Sequence, residues 1–168
     1  RIYSVTSADV QYALAKKRRS LDDFLALISP AAAAFLEPMA QLSQRLTQQR
    51  FGKTIQLYAP LYLSNECQNI CTYCGFSLDN KIKRKTLSNT EIITEAMALK
   101  EMGVNHVLLV SGEANKTVGV EYFKNAIQLL QPYFSHISIE VQPLYTEEYS
   151  TLQQLGVHSV LVYQETYH

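Results

Sequence analysis

The chain has no surplus of charge. Its 15 Lys and Arg face 15 Asp and Glu, a formal net charge of zero, so composition gives no electrostatic footprint for a nucleic acid or an anionic membrane. It also lacks any apolar run near the roughly 18 residues from which a membrane span is read, and nothing at its start resembles a signal peptide. Glycine and proline are few, 6 and 5 residues beside a 47% hydrophobic share, which points to a globular chain with a core rather than a linker. One basic run, Lys81-Ile82-Lys83-Arg84-Lys85, is short and reads as a solvated loop rather than an anion-binding patch. There is no initiator Met, and the chain ends in what reads as a loop after a strand; the expectation is a piece of a longer protein.

Cysteine is scarcer still, and its placement is the most informative feature. The 3 cysteines, Cys67, Cys71 and Cys74, all lie within Cys67-Gln68-Asn69-Ile70-Cys71-Thr72-Tyr73-Cys74, a CxxxCxxC set. Iron–sulfur cubanes take four ligands, usually thiolates. Three thiolates with no fourth leave one iron open, and an open position is what a catalytic centre keeps and a structural one closes. Competing readings fit less well. A disulfide framework wants an even count and an oxidising compartment. A structural zinc would have to recruit His106, His136, His158 or His168, none of which has the short paired spacing of zinc motifs. Inert buried thiols would be scattered through core positions, not clustered among Asn, Gln and Thr. Unprotected thiols and no targeting segment lead to the expectation of a cytoplasmic protein.

The first third reads as helical. Helices are expected over Asp9–Lys17 and Ser20–Leu27, and from Ser29-Pro30 as N-cap and first helical residue to Gln49, with a kink at Pro38 and Gly52 as the stop. Ile55–Leu63 is apolar and β-rich and ends just before the cysteine loop. Then βα units alternate. Ser88-Asn89-Thr90-Glu91 is a capping box opening a helix from Glu91 to Met102, with Gly103 after it. Strands are expected at Val107–Val110, Ile137–Val141 and Ser159–Tyr163, and helices at Val120–Tyr133 and Thr146–Leu155. The fold class that follows is α/β with a parallel sheet: a helical N-terminal segment over 1–53, then about half of a (β/α) barrel over 54–168. A closed barrel typically needs about 250 residues.

In parallel α/β folds, ligands gather on the loops after the strands. The cysteine loop follows the first strand, Ser111-Gly112-Glu113 the second, Glu140, Gln142 and Pro143 the third, and Tyr163-Gln164-Glu165-Thr166-Tyr167-His168 the fourth. His106 and His158 fall at the other ends of their strands and read as structural.

Taken together these segments resemble the radical S-adenosylmethionine (SAM) superfamily. Cys67-x-x-x-Cys71-x-Tyr73-Cys74 is similar to its cluster motif, and Ser111-Gly112-Glu113 to its GGE element, with Ser for the first Gly. Leu61-Tyr62-Leu63-Ser64-Asn65, Glu140-Val141-Gln142-Pro143-Leu144 and Tyr163-Gln164-Glu165-Thr166-Tyr167-His168 resemble its aromatic amino-acid lyase branch, in particular the tyrosine lyases of thiamine biosynthesis. The resemblance implies a [4Fe–4S] cluster held by Cys67, Cys71 and Cys74. It implies SAM chelating the fourth iron, a low-potential one-electron donor such as a flavodoxin, and cleavage of L-tyrosine to 2-iminoacetate and p-cresol. Thiazole synthase, which consumes the imine, is the implied partner; neither nucleic acid nor membrane is expected.

Roles carried over by this resemblance are as follows. Glu113, with the Ser111–Gly112 backbone, would receive the SAM ammonium, which offers only donors. Gly112 suits a loop where backbone approaches a ligand closely. Tyr73 would lie against the cluster or the adenine, or serve as ordinary packing. Glu140 and Gln142, two apart on one face of the third strand, would point at SAM or the tyrosine zwitterion, and Glu165 at the SAM ribose or the substrate ammonium; each is equally read as a turn residue. Two rivals remain: the tyrosine lyase of [FeFe]-hydrogenase maturation or another enzyme of the superfamily, and, from another class, a non-catalytic iron–sulfur electron-transfer domain. The last predicts a fourth ligand and leaves Ser111-Gly112-Glu113 without a role.

Overall fold

The computed structural model describes residues 1–164 of the 168. The chain divides into two compact units, Arg1–Ile55 and Gln56–His168.

In the first unit, helices α1 (Ser7–Ala15), α2 (Leu21–Leu27) and α3 (Leu36–Phe51) follow one another, with a 3₁₀ segment at Pro30–Phe35. α1 and α2 open with full capping boxes, Thr6 with Asp9 and Ser20 with Asp23, so Asp9 is a third residue rather than the first of its helix. Val10, Ala13, Ala26 and Ala32 form the buried side. Two expectations are corrected. Ser29 does not cap with its side chain; its hydroxyl turns back to donate to the Ala26 carbonyl at 2.7 Å. Pro38 kinks nothing, because the long helix starts at Leu36 and Pro38 falls in its first turn, where an N–H has no intrahelical partner anyway.

The second unit is a four-stranded sheet in the order β1 (Ala59–Ser64), β2 (His106–Ser111), β3 (His136–Glu140), β4 (Val157–Val160). All three pairings are parallel, crossing over through α4 (Asn89–Glu101), α5 (Val120–Leu130) and α6 (Thr146–Gln154). Leu61, Leu109 and Ile139 stand in one register row and face the helices, packing with Ile92, Ala96, Phe123, Ile127, Leu130 and Leu152. Burial of each such side chain stabilises the fold by about 1.5–3 kcal/mol. Alternate residues form a second, open face, where Tyr62, Val110 and Glu140 make one row.

Element ends differ from the expected ones for local reasons. β1 begins only at Ala59, where its pairing with β2 begins, opposite Val107. β4 starts at Val157, directly after Gly156 turns the chain out of α6 with φ +83°, and pairs with Ile137. α5 ends at Leu130 because Pro132 lacks the N–H that would continue it. Among the described residues no single helix is long and apolar enough to cross a membrane.

Candidate metal centre

The cysteine loop runs on from β1 over residues 65–80. Cys67, Cys71 and Cys74 are each half-buried, and none is in a disulfide. A tight turn joins the last two, Cys74 N–H donating to the Cys71 carbonyl at 3.3 Å. The Phe76 N–H donates to Cys74 Sγ at 3.4 Å, the kind of contact through which a protein adjusts a thiolate-bound cluster. Phe76 lies edge-on to Tyr62 of β1, with ring centroids 5.9 Å apart. Tyr73, between the second and third cysteines, is 70% exposed in this chain.

The loop after β2 is locked onto the cysteine loop. Gly112 N–H donates to the Ser64 carbonyl at 3.2 Å, and Gln68 N–H to the Glu113 carbonyl at 2.7 Å. The Asn69 side-chain amide donates to Glu113 Oε2 at 2.6 Å. A Cβ on Gly112 would lie 2.2 Å from the Glu66 carbonyl oxygen and 3.0 Å from the Cys67 Cβ. Close approach is thus one reason glycine stands here: its neighbour is the cysteine loop's own backbone. The Ser111 hydroxyl oxygen is buried without a hydrogen-bond partner among the described residues.

β3 ends at Glu140, so Gln142 lies past the strand and the two are not a matched pair on one face. Glu140 is half-buried in the open-face row. Gln142 is 5% exposed; its Nε2 donates to the Val118 carbonyl at 2.7 Å, tying the β3 end to the loop before α5. Its Oε1 is buried and unpartnered among the described residues. Glu165 and His168 lie outside the described residues.

The three described histidines, His106, His136 and His158, stay away from this end. His106 and His136 open β2 and β3 and pair in register, with rings 4.3 Å apart; His158 of β4 lies 4.4 Å from His136. This ladder sits at the opposite strand ends from the cysteine loop and cannot supply a fourth ligand to it. Partial burial, then the neighbouring His106 and His158, lower the pKa of His136 below the usual imidazole value. Two surface concavities also lie elsewhere, one around this ladder and one along the β4 edge against α6. Neither contains the cysteines, and the thiol donors rather than cavity size identify the centre.

Three residues of the site escape sequence reasoning: Asn65, Asn69 and Arg84. Asn65 Nδ2 donates to the Lys83 carbonyl at 2.9 Å, and the Lys85 N–H donates to Asn65 Oδ1 at 2.6 Å. Arg84 is half-buried and donates to carbonyls at both ends of the cysteine loop. The expected solvated basic run is therefore corrected: Lys81 and Lys83 are exposed, but Arg84 is turned inward and Lys85 pairs with Glu91. A lone Asn or Arg in a polar stretch carries no periodicity or spacing signal that would have revealed this.

The residues present fit a cluster. Among the described residues no three His, Cys, Asp or Glu side chains are gathered tightly enough to hold one metal ion, whereas a cubane asks each thiolate for a different iron and so a wider spacing. Three reduced thiols, an N–H directed at one of them, and the Glu113 carboxylate held against their loop by Asn69 suit a cluster with a small polar ligand.

Comparison with known proteins agrees. The chain is 54% identical over all 168 residues to the 2-iminoacetate synthase of Escherichia coli (strain K12) and 53% to that of Salmonella typhimurium, covering 45% of each. It is 28% identical over 150 residues, 87% of the chain, to the 3-methylornithine synthase of Methanosarcina acetivorans, covering 42% of it. The chain thus spans about half the length of the curated relatives it matches. Among solved structures, HydG, a maturase of the [FeFe]-hydrogenase, superposes with a TM-score of 0.87 at 26% identity over 98% of this chain and 39% of that one. Methylornithine synthase (PylB) superposes at 0.69 and 23% identity, over 98% and 45%; at that identity it speaks for the fold alone. The fold is accordingly a four-strand portion of a (β/α) barrel, and membership implies a [4Fe–4S] cluster and SAM as cofactors. The family model described as Radical SAM superfamily matches residues 61–168, well over half of the chain, which therefore belongs to the radical SAM superfamily.

Proposed function

We propose that this chain is the cluster- and SAM-binding part of a lyase that cleaves the Cα–Cβ bond of L-tyrosine to 2-iminoacetate and p-cresol, for the thiazole of thiamine. The observation that carries the reading is identity above half, end to end, with two 2-iminoacetate synthases. The TM-score of 0.87 to HydG supports the same core and favours hydrogenase maturation as the second reading; its 26% identity ranks it behind.

In this reading Cys67, Cys71 and Cys74 hold the cluster. A reduced cluster with SAM supplies homolytic C–S cleavage, a source of a carbon radical able to take a hydrogen atom from substrate. The chain's own residues bind and orient. Glu113 accepts from the SAM ammonium with the oxygen that Asn69 leaves open. The Ser111–Gly112 backbone and Gln142 meet polar groups of the ligand, as the resemblance to the superfamily's GGE element and lyase branch implies. Glu140, on the open face, faces SAM or the substrate zwitterion, Tyr73 covers the ligand side of the loop, and Glu165 contacts ribose or substrate ammonium. A flavodoxin-like donor supplies the electron, thiazole synthase takes the imine, and a reducing cytoplasm keeps the thiols available.

The test is an anaerobic assay of the full-length enzyme with reconstituted cluster, SAM, dithionite and tyrosine. Both 5′-deoxyadenosine and p-cresol are expected, and both are lost in Cys71→Ala. Deoxyadenosine without p-cresol rejects tyrosine as the substrate.

A further inference from the structure

We infer that Arg84 is a positioning residue for the cluster: its guanidinium clasps the two ends of the cysteine loop and so sets the spread of the three thiolates. Nη1 donates to the Asn65 carbonyl at 2.7 Å, two residues before Cys67, and to the Phe76 carbonyl at 2.8 Å, two residues after Cys74. Nη2 donates to the Ser77 carbonyl at 2.7 Å and, more weakly at 3.4 Å, to the Asn80 carbonyl. One rigid fork therefore joins the entry of the loop to its exit.

The side chain is committed to this task. Arg84 forms no ion pair among the described residues, and its guanidinium hydrogen bonds there go to main-chain carbonyls of the loop. Planarity matters here: five N–H donors in a fixed fork can bridge carbonyls on two separate strands of chain, whereas an ammonium is a point donor on a flexible stem. The fork is also anchored from behind. Asn65 N–H donates to the Lys85 carbonyl at 3.1 Å, and Asn65 binds Lys83 and Lys85 through its amide. Thr86 meets Ser64 hydroxyl to hydroxyl at 2.7 Å. On the exit side Asn80 Nδ2 donates to the Cys74 and Gly75 carbonyls at 3.0 and 3.1 Å. The strap over 83–86 thus holds the loop at its entry before Cys67 and at its exit after Cys74.

A residue acting on ligands through the backbone behaves as an outer-shell partner, whose loss typically costs about 10–100-fold in metal affinity or activity. The inference rests on the cluster assignment, which the wild-type protein tests separately. The experiment compares full-length wild type, Arg84→Gln, Arg84→Lys and Lys83→Gln, each purified without cluster and then reconstituted anaerobically. Iron and sulfide per chain, the EPR spectrum of the reduced cluster with and without SAM, and the melting curve of the cluster-free protein are measured. The expected result is that R84Q and R84K melt like wild type yet bind the cluster about 10-fold more weakly and show a broadened, shifted EPR signal. K83Q, which removes one neighbouring charge, is expected to match wild type throughout. Wild-type iron content and spectrum in R84Q or R84K overturn the inference. So does equal damage in K83Q, which would make bulk charge the cause, and so does cluster loss that only tracks a lowered melting temperature. Wild type that takes up no iron overturns the cluster assignment itself.

Discussion

Asn69, in the middle of the cysteine loop, donates its side-chain amide to Glu113 Oε2 at 2.6 Å across 44 residues of sequence. Hydrogen bonds to a charged acceptor contribute about 1.5–3 kcal/mol, and this one fixes the direction of a carboxylate standing one residue past Gly112. Ligand loop and carboxylate are thereby oriented by each other before any ligand arrives.

Glu113→Gln keeps the length and an accepting oxygen but removes the charge. SAM affinity is expected to fall by about 10-fold or more, about 1.4 kcal/mol, while the melting temperature barely moves. Equilibrium dialysis against SAM and a thermal melt check both halves. Asn69→Ala should weaken SAM in the same direction by less, since the charge remains and only its alignment is lost.

Gly112→Ala places a methyl against the Glu66 carbonyl at 2.2 Å, and backbone cannot swing aside as a side chain can. Overpacking of this kind costs about 1–3 kcal/mol. Denaturant unfolding should show that loss, and iron content should drop as the two loops part. Wild-type values for both would mean the contact yields without consequence.

Glu91, in the capping box of α4, is held at a pKa of about 2, first by Lys85 and then by the Ser88 N–H and hydroxyl. A carboxylate depressed from its ordinary 4.5 stabilises fully above that value and loses its contribution as pH falls toward 2. Wild type should therefore lose more stability than Glu91→Gln as pH is lowered from about 5 to 3, by denaturant titration at each pH.

His136 is linked to stability with the same sign as Glu91, in a higher pH window. Its folded pKa lies below the unfolded value of 6.5, so the unfolded chain binds the proton more readily. Stability is full above that value and declines as pH falls through it. His136→Gln should flatten the decline between about pH 7.5 and 5.5, and an unchanged slope would place the ladder's titration elsewhere.

Sequence rules reached the parts of this molecule that local chemistry decides. Ser88 to Glu91 is a capping box because two orphan N–H groups are satisfied within one turn. Leu61, Leu109 and Ile139 declare a buried row because a parallel strand covered by helices must be apolar there. Cys67, Cys71 and Cys74 were legible because their number and spacing are unusual. Arg84, Asn65 and Asn69 were not, since each acts mainly through partners 7–44 residues away that only the folded chain brings near. Pro38 misled for a related reason: a proline is tolerated or disruptive according to where the helix starts, which the 3₁₀ segment before it decides.

The central claim is a cluster held by three thiolates with one iron left for SAM, and an EPR titration tests it most directly. The full-length protein is reconstituted, reduced to the +1 state and given SAM. The account predicts a clear change in the signal on SAM addition, saturating at one SAM per cluster and shifted to about 10-fold higher SAM in Glu113→Gln. A signal indifferent to SAM at any concentration would mean that all four irons are already ligated, and would contradict it in favour of an electron-transfer domain.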